Sequence, residues 1–214
     1  MKKRVSLILD TETTGLVPRD IYGRNKSYED TDVYDECRIV QICWIMNDFE
    51  KDLISRTYTV LPDGFVIPEE SSKIHGITHE EAIHTGVSIA FVMEKLCSDI
   101  KQYSPKRLVA HNIDFDYHVI MSELYRMTTR PDYLIDFFST AKTVCTMLLG
   151  RDVCRISKDG KQFKQFKNPK LSELYYFYFL EELKGAHSAD IDTQACLKCY
   201  NRMRELAFLK KPGI

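Results

Sequence analysis

Two carboxylates two positions apart, Asp10 and Glu12, close the apolar run Val5-Ser-Leu-Ile-Leu-Asp-Thr-Glu-Thr-Thr-Gly15. They constrain the chain more than any other feature. Side chains i and i+2 of a β-strand lie on one face, so a strand here projects both acids from a sheet whose other neighbours are apolar. Acids held that close repel one another unless cations sit between them. Hard divalent ions such as Mg²⁺ and Mn²⁺ take oxygen ligands and keep several waters, so the pair suits half of a two-metal phosphoryl-transfer site. Taken alone, Asp10 and Glu12 fit a solvated strand end equally well, and the remaining segments decide between the two.

A chain of 214 residues suffices for one domain with a large core and is short for two. The expectation is a single α/β domain over residues 1–214. With 44% apolar and 29% charged residues the composition is that of a soluble globular protein, and no apolar stretch approaches the roughly 18 residues of a membrane span. Met1-Lys-Lys-Arg4 is a basic start, but the apolar part behind it meets Asp10 too soon for a secretory leader. Seven cysteines scattered through apolar stretches argue against a disulfide framework and for an intracellular, reducing setting, cytoplasm or nucleoplasm. Cys196-x-x-Cys199 has metal-like spacing but lacks a second pair or a His cluster to complete a zinc site. At a net charge of −1, any nucleic-acid binding has to come from a local basic patch or from metal ions.

Along the chain, a strand is expected from Arg4 to Asp10, then a polar loop over residues 17–36 without apolar periodicity. Arg38 to Met46 is β-branched and apolar, and Leu53 to Val60 pairs back on it as an antiparallel hairpin. Thr78-His-Glu-Glu81 has capping-box spacing, and Val92, Leu96 and Ile100 mark a helix from Ser88 to Tyr103 that Pro105 ends. Arg107 to His111 reads as a strand, and a helix opening near Asp114 carries Val119, Ile120 and Leu124 and stops before Pro131. Thr143 to Thr146 is a last short strand, followed by helices from Leu171 to Leu183 and Ser188 to Leu206. Strands first in an antiparallel group and then alternating with helices give a mixed sheet flanked by helices.

Four segments bear on chemistry together. They are Asp10-Thr-Glu-Thr-Thr-Gly15, Ile74-His-Gly-Ile-Thr78, His111-Asn-Ile-Asp-Phe-Asp116 and His187-Ser-Ala-Asp-Ile-Asp192. In this order they resemble the successive exonuclease motifs of the DEDDh (DnaQ-like) family, which includes the proofreading epsilon subunit of bacterial DNA polymerase III and TREX-type exonucleases. Pro169-Lys-Leu-Ser-Glu-Leu-Tyr175 also resembles a run in phage and viral or bacterial members. The resemblance implies a ribonuclease H-like fold, a five-stranded mixed sheet between helices. It implies that Asp10, Glu12, Asp116 and Asp192 hold two divalent ions, Mg²⁺ or Mn²⁺, and that His187 is the general base. Motif register selects Asp116 over Asp114 and Asp192 over Asp190. His111 and His118 are expected to be structural, and His79 and His84 solvated. Thr13, Gly15, Leu16, Glu70, His75, Asn112 and Phe115 correspond to contacts with the 3′-terminal nucleotide, Leu16 being the apolar wedge.

Phosphodiester hydrolysis needs an activated water, neutralised phosphate charge and a stabilised leaving oxygen; two cations about 4 Å apart supply all but the proton transfer. A histidine with a pKa near neutrality takes that proton. The implied function is a 3′→5′ exonuclease acting on single-stranded DNA ends, in proofreading or DNA repair, and a stand-alone enzyme rather than a tethered subunit. RNA as substrate and a non-catalytic end-binding module are the alternatives. The segment 155–168, with Asp159-Gly160 at a hairpin turn, is locally basic and either tracks a phosphate backbone or is simply solvated. The 17–36 loop is open to reading as a lid, a strand-separating element or a partner surface.

Overall fold

β-Branched and aliphatic segments assemble into one sheet in the computed structural model, which describes residues 5–158 and 165–209. Strand β1 spans Ser6–Thr13, β2 Ile39–Asn47, β3 Asp52–Thr59, β4 Arg107–Ala110 and β5 Lys142–Cys145. Their order is β3-β2-β1-β4-β5. The first three strands form an antiparallel meander, whereas β4 runs parallel to both β1 and β5. This is the five-stranded mixed sheet expected from the sequence.

Helices cover both faces. They are α1 (Glu69–His75), α2 (His79–Thr85), α3 (Ile89–Tyr103), α4 (Ile113–Arg126), α5 (Asp132–Thr140), α6 (Thr146–Cys154), α7 (Leu171–Phe179) and α8 (Ala189–Leu209). On one face Leu7 and Leu9 of β1 and Ile42, Trp44 and Met46 of β2 pack with α3, α4 and α5. On the other, Ile8, Ile45 and Val109 pack with Cys196, Leu197 and Tyr200 of α8. Each such fully buried aliphatic side chain stabilises the fold by about 1.5–3 kcal/mol. The alternation that sets Ile8 against α8 also sets Asp10 and Glu12 on the α8 face.

Buried polar groups are paired where the layers meet. Trp44 Nε1 donates to Asp99 Oδ2 at 2.9 Å, and the Arg56 guanidinium closes on the same carboxylate at 2.7 Å. At the start of β2, Arg38 grips Glu123 of α4 through two nitrogens, at 2.8 and 3.2 Å, and Glu123 also accepts the Ile39 N–H.

Several elements depart from the expectations. Strand β1 continues three residues past Asp10, because pairing of Glu12 with Gln41 and Thr13 with Ile39 extends the ladder through a register shift. Ile74 and His75 close a further helix, α1, and Gly76 at φ 79° caps it. The 17–36 segment holds an Arg19–Asn25 bridge and a 3₁₀ turn at Thr31–Tyr34. Helices α5 and α6 fill the stretch between Pro131 and Arg155, and α7 ends at Phe179 because Leu180 turns left-handed at φ 56°. His79 is half-buried rather than fully solvated; its Nδ1 accepts the Ile67 N–H at 3.4 Å. In the basic segment Ser157 bridges to Phe166, and the Asp159-Gly160 turn lies outside the described residues. All seven cysteines are free thiols, and Cys196 and Cys199 fall in different core clusters. No helix among the described residues is long and apolar enough to cross a membrane.

The Arg38–Glu123 pair yields a stability prediction. Glu123→Ala leaves a nearly buried guanidinium without its partner, so urea unfolding is expected to show a loss of about 3–5 kcal/mol. A loss under about 1 kcal/mol contradicts this account of the β2–α4 junction.

Candidate active site

Asp10 and Glu12 leave β1 at its C-terminal end, and Asp192 meets them from the first turn of α8. One carboxylate oxygen from each of the three lies within 4.8 Å of the others. Asp116 comes from the first turn of α4, on the opposite face of the sheet, and is 2% exposed. Its Oδ1 accepts a hydrogen bond from Thr11 Oγ1 at 2.8 Å. Thr11 sits between the two acids of β1 and faces the other way, so it binds Asp116 to the strand that carries them.

The electrostatics follow from this crowding. Burial raises the Asp10 carboxyl well above its ordinary value, and the charges of Asp116, Asp192 and Glu12 push it further. Glu12 is pushed up to about 7 by burial and by Asp192. Asp116 also reaches about 7 through burial, against the opposing Thr11 hydrogen bond. Burial raises Asp192 too, opposed by the His187 N–H and charge. One Asp192 oxygen, Oδ1, is buried with no hydrogen-bond partner. Clustered oxygens that resist ionisation, one of them orphaned, fit a hard divalent cation, which would satisfy the lone pairs and offset the repulsion.

His187 lies two residues before α8 in a left-handed conformation, φ 71°. Its backbone N–H donates to Asp192 Oδ2 at 2.9 Å, while the residue itself is exposed. The α8 entry is tied to the sheet by Gln41, whose Oε1 accepts the Ala189 N–H at 3.1 Å. Gln41 is the cross-strand neighbour of Glu12. Sequence reasoning missed both Thr11 and Gln41; the position of Thr11 inside the acidic motif was a usable signal, whereas nothing local marks Gln41.

The two neighbouring acids are occupied elsewhere. Asp114 is exposed and accepts from Asn25 Nδ2 at 2.5 Å, and Asp190 accepts from Ser188 Oγ at 2.5 Å. Around the site, Thr13 Oγ1 donates to Gly15 O at 2.6 Å. Gly15 has a packing reason to be glycine, since a Cβ there would meet the Glu36 carbonyl oxygen at 2.4 Å. Leu16 is 84% exposed. Ser71 of α1 donates to Thr14 O at 2.5 Å, which holds α1, and with it exposed Glu70, beside this turn. His75 is buried; its Nδ1 accepts the Ile77 N–H at 3.2 Å and its Nε2 has no partner. Burial lowers its pKa, which keeps the ring neutral and Nε2 a donor. Asn112 caps α4 at φ 72° without a side-chain cap bond, and Phe115 is partly buried against the core. His111 bonds Thr146 Oγ1 at 3.0 Å and Pro169 O at 3.1 Å, with its pKa lowered by burial to about 4, a structural role.

Fold and acid cluster together define the exonuclease class that the motifs resemble. Residues 7–200 match the exonuclease model of the RNase T family, and the chain belongs to that family. Among solved structures it is similar to E. coli exonuclease I in complex with a dA16 oligonucleotide, at a TM-score of 0.68 and 18% identity over 94% of this chain and 41% of that one. The zinc-bound form of the E. coli exonuclease I complex with single-stranded DNA gives 0.69 and 17%, over 96% and 41%. Exonuclease I from Methylocaldum szegediense gives 0.67 and 19%, over 94% and 40%. The chain thus spans about two fifths of the length of these proteins, and the likeness is one of fold. No curated protein sequence matches it significantly.

A pH dependence follows. The folded, metal-free protein keeps a proton on Glu12 up to about pH 7, whereas an ordinary glutamate releases it near 4.5. The resulting stabilisation is present in acid and is lost as pH rises through about 7. In EDTA, Glu12→Gln is therefore expected to gain thermal stability relative to the native chain between about pH 5 and pH 8, as melting curves will show. A gap that stays constant across that range contradicts the assignment.

Proposed function

We propose that the chain is a divalent-metal-dependent 3′→5′ exonuclease that releases nucleoside 5′-monophosphates from single-stranded DNA ends. The observation that carries this reading is the meeting of Asp10, Glu12 and Asp192 within 4.8 Å, with Asp116 tied to the same strand, in a chain of an exonuclease family. Asp10, Glu12, Asp116 and Asp192 would hold two ions, Mg²⁺ or Mn²⁺. When bound, such ions neutralise phosphate charge and favour ionisation of water.

The residues of the chain do the rest. The His187 ring takes the proton from the attacking water; it is exposed at the α8 entry, and its main chain is held by Asp192. An anchored backbone with a free ring suits a base that closes onto bound substrate. Leu16, standing out from the Thr13–Gly15 turn, wedges against the terminal base, with Asn112 and Phe115 as the other wall. Glu70 and His75 contact the terminal nucleotide, His75 through its unpartnered Nε2–H. The orphaned donor supports this, since buried polar groups otherwise find partners. The seven free thiols support an intracellular, reducing setting.

DNA is favoured over RNA because the similar exonuclease I structures carry DNA oligonucleotides. The test follows 5′-labelled single-stranded DNA and RNA of one sequence side by side with Mg²⁺ or Mn²⁺. The native chain is expected to give a metal-dependent ladder on DNA that Asp192→Asn abolishes. His187→Ala is expected to lower kcat by about 10²–10⁴-fold with oligonucleotide affinity retained. Shortening of RNA alone moves the substrate assignment to RNA, and binding without shortening of either leaves an end-binding module. A His187→Ala loss below about tenfold removes the general-base role.

A further inference from the structure

Residues 18–26 form a small hairpin that the catalytic reading leaves without a task. Pro18 and Lys26 pair through the backbone at 2.9 Å, and Arg19 bridges Asn25. Asp20 ties off the turn: its carboxylate accepts the Tyr22 and Arg24 N–H groups at 2.8 and 3.0 Å and the Arg24 Nε at 2.9 Å. Gly23, at φ 75°, supplies the left-handed residue. A turn so fully bonded nevertheless presents apolar side chains to water. Ile21 is 91% exposed and Tyr22 76% exposed. The Arg24 guanidinium lies over the Tyr22 ring at 5.2 Å, so one ring face is backed by a cation.

The hairpin is fastened to an element that carries one of the site's acids. Pro18 lies two residues past Leu16, and Asn25 holds Asp114 at 2.5 Å in the α4 turn that carries Asp116. Tyr22 is three residues from the Asn25 anchor, at most about 11 Å along an extended chain. The base of the loop is fastened as well, by Arg126 to Thr31 O at 2.6 Å and to Asp35 at 2.7 Å. An exposed tyrosine with a guanidinium on one face, beside exposed Arg19 and Lys26, has the chemistry that receives a nucleobase and its phosphate. We infer that the 18–26 hairpin is a second nucleic-acid contact, on which a base of the single strand approaching the 3′-end site stacks against Tyr22. The inference rests on the exonuclease reading for its substrate class, and it assigns to this loop a grip on the strand rather than the closing of a lid.

The test measures fluorescence anisotropy of a labelled, hydrolysis-resistant phosphorothioate oligothymidylate of about a dozen nucleotides with Ca²⁺ present, for the native chain, Tyr22→Ala and Tyr22→Phe. A second assay follows hydrolysis of thymidine 5′-monophosphate p-nitrophenyl ester, too small to reach the hairpin. Tyr22→Ala is expected to weaken oligonucleotide binding about tenfold, in keeping with one lost base stack. Tyr22→Phe keeps the ring and is expected to retain native affinity, and ester hydrolysis by both variants is expected to match the native rate. Unchanged oligonucleotide affinity in Tyr22→Ala overturns the inference and leaves the exposed hairpin free to serve a protein partner. Loss of affinity in Tyr22→Phe equal to that in Tyr22→Ala also overturns it, because stacking needs only the ring. Absence of ester hydrolysis by the native chain counts against the exonuclease reading alone, since the binding arm still decides the hairpin.

Discussion

Packing forces four acids together. Helix α8 docks on β1 through Ile8, Cys196, Leu197 and Tyr200, and α4 docks on the other face through the larger core around Leu7 and Leu9. Both contacts are apolar and strong, and each brings an aspartate to the end of a strand that already carries Asp10 and Glu12. Left alone, the carboxylates are raised in pKa and repel one another. The fold tolerates this because apolar burial on both faces outweighs it, and a divalent cation would turn the conflict into a binding site. Strain of this kind is characteristic of functional sites.

The surroundings keep the acids from relaxing apart. Thr11 bonds Asp116 from within the acidic motif, and Gln41 bonds the start of α8 from the neighbouring strand. Both supports come from strands of the sheet, β1 and β2. The Thr13–Gly15 turn is held by the Thr14 N–H on Arg38 O, by the close approach of Gly15 to the Glu36 carbonyl and by the Ser71 hydroxyl on Thr14 O. Different histidines serve different ends. His111 is locked neutral between two oxygens, His75 keeps an unused donor, and His187 stands in water beside the acid its backbone binds.

Much of this was legible in the residues. The β1 acids, the antiparallel meander, the β4–α4 handover and the long last helix all follow from periodicity. Motif register chose Asp116 and Asp192 over Asp114 and Asp190; in the structure Asp114 accepts from distant Asn25 and Asp190 from nearby Ser188. What escaped was held by long-range contacts. Helices α1, α5 and α6 have only seven to nine residues, too few to be stable by propensity, so tertiary packing makes them. In α5, aromatic and β-branched residues hide the helical period, and only Leu134 and Phe138 are buried. Gln41 acts across 148 residues of sequence, a distance no local pattern encodes.

If the carboxylates converging at the end of β1 form a cation site, a crystal soaked with Mn²⁺ and a nucleoside 5′-monophosphate will give anomalous scattering peaks among Asp10, Glu12, Asp116 and Asp192, with the nucleotide phosphate beside them. Ordered carboxylates with no such peak at a saturating Mn²⁺ concentration would contradict such a site.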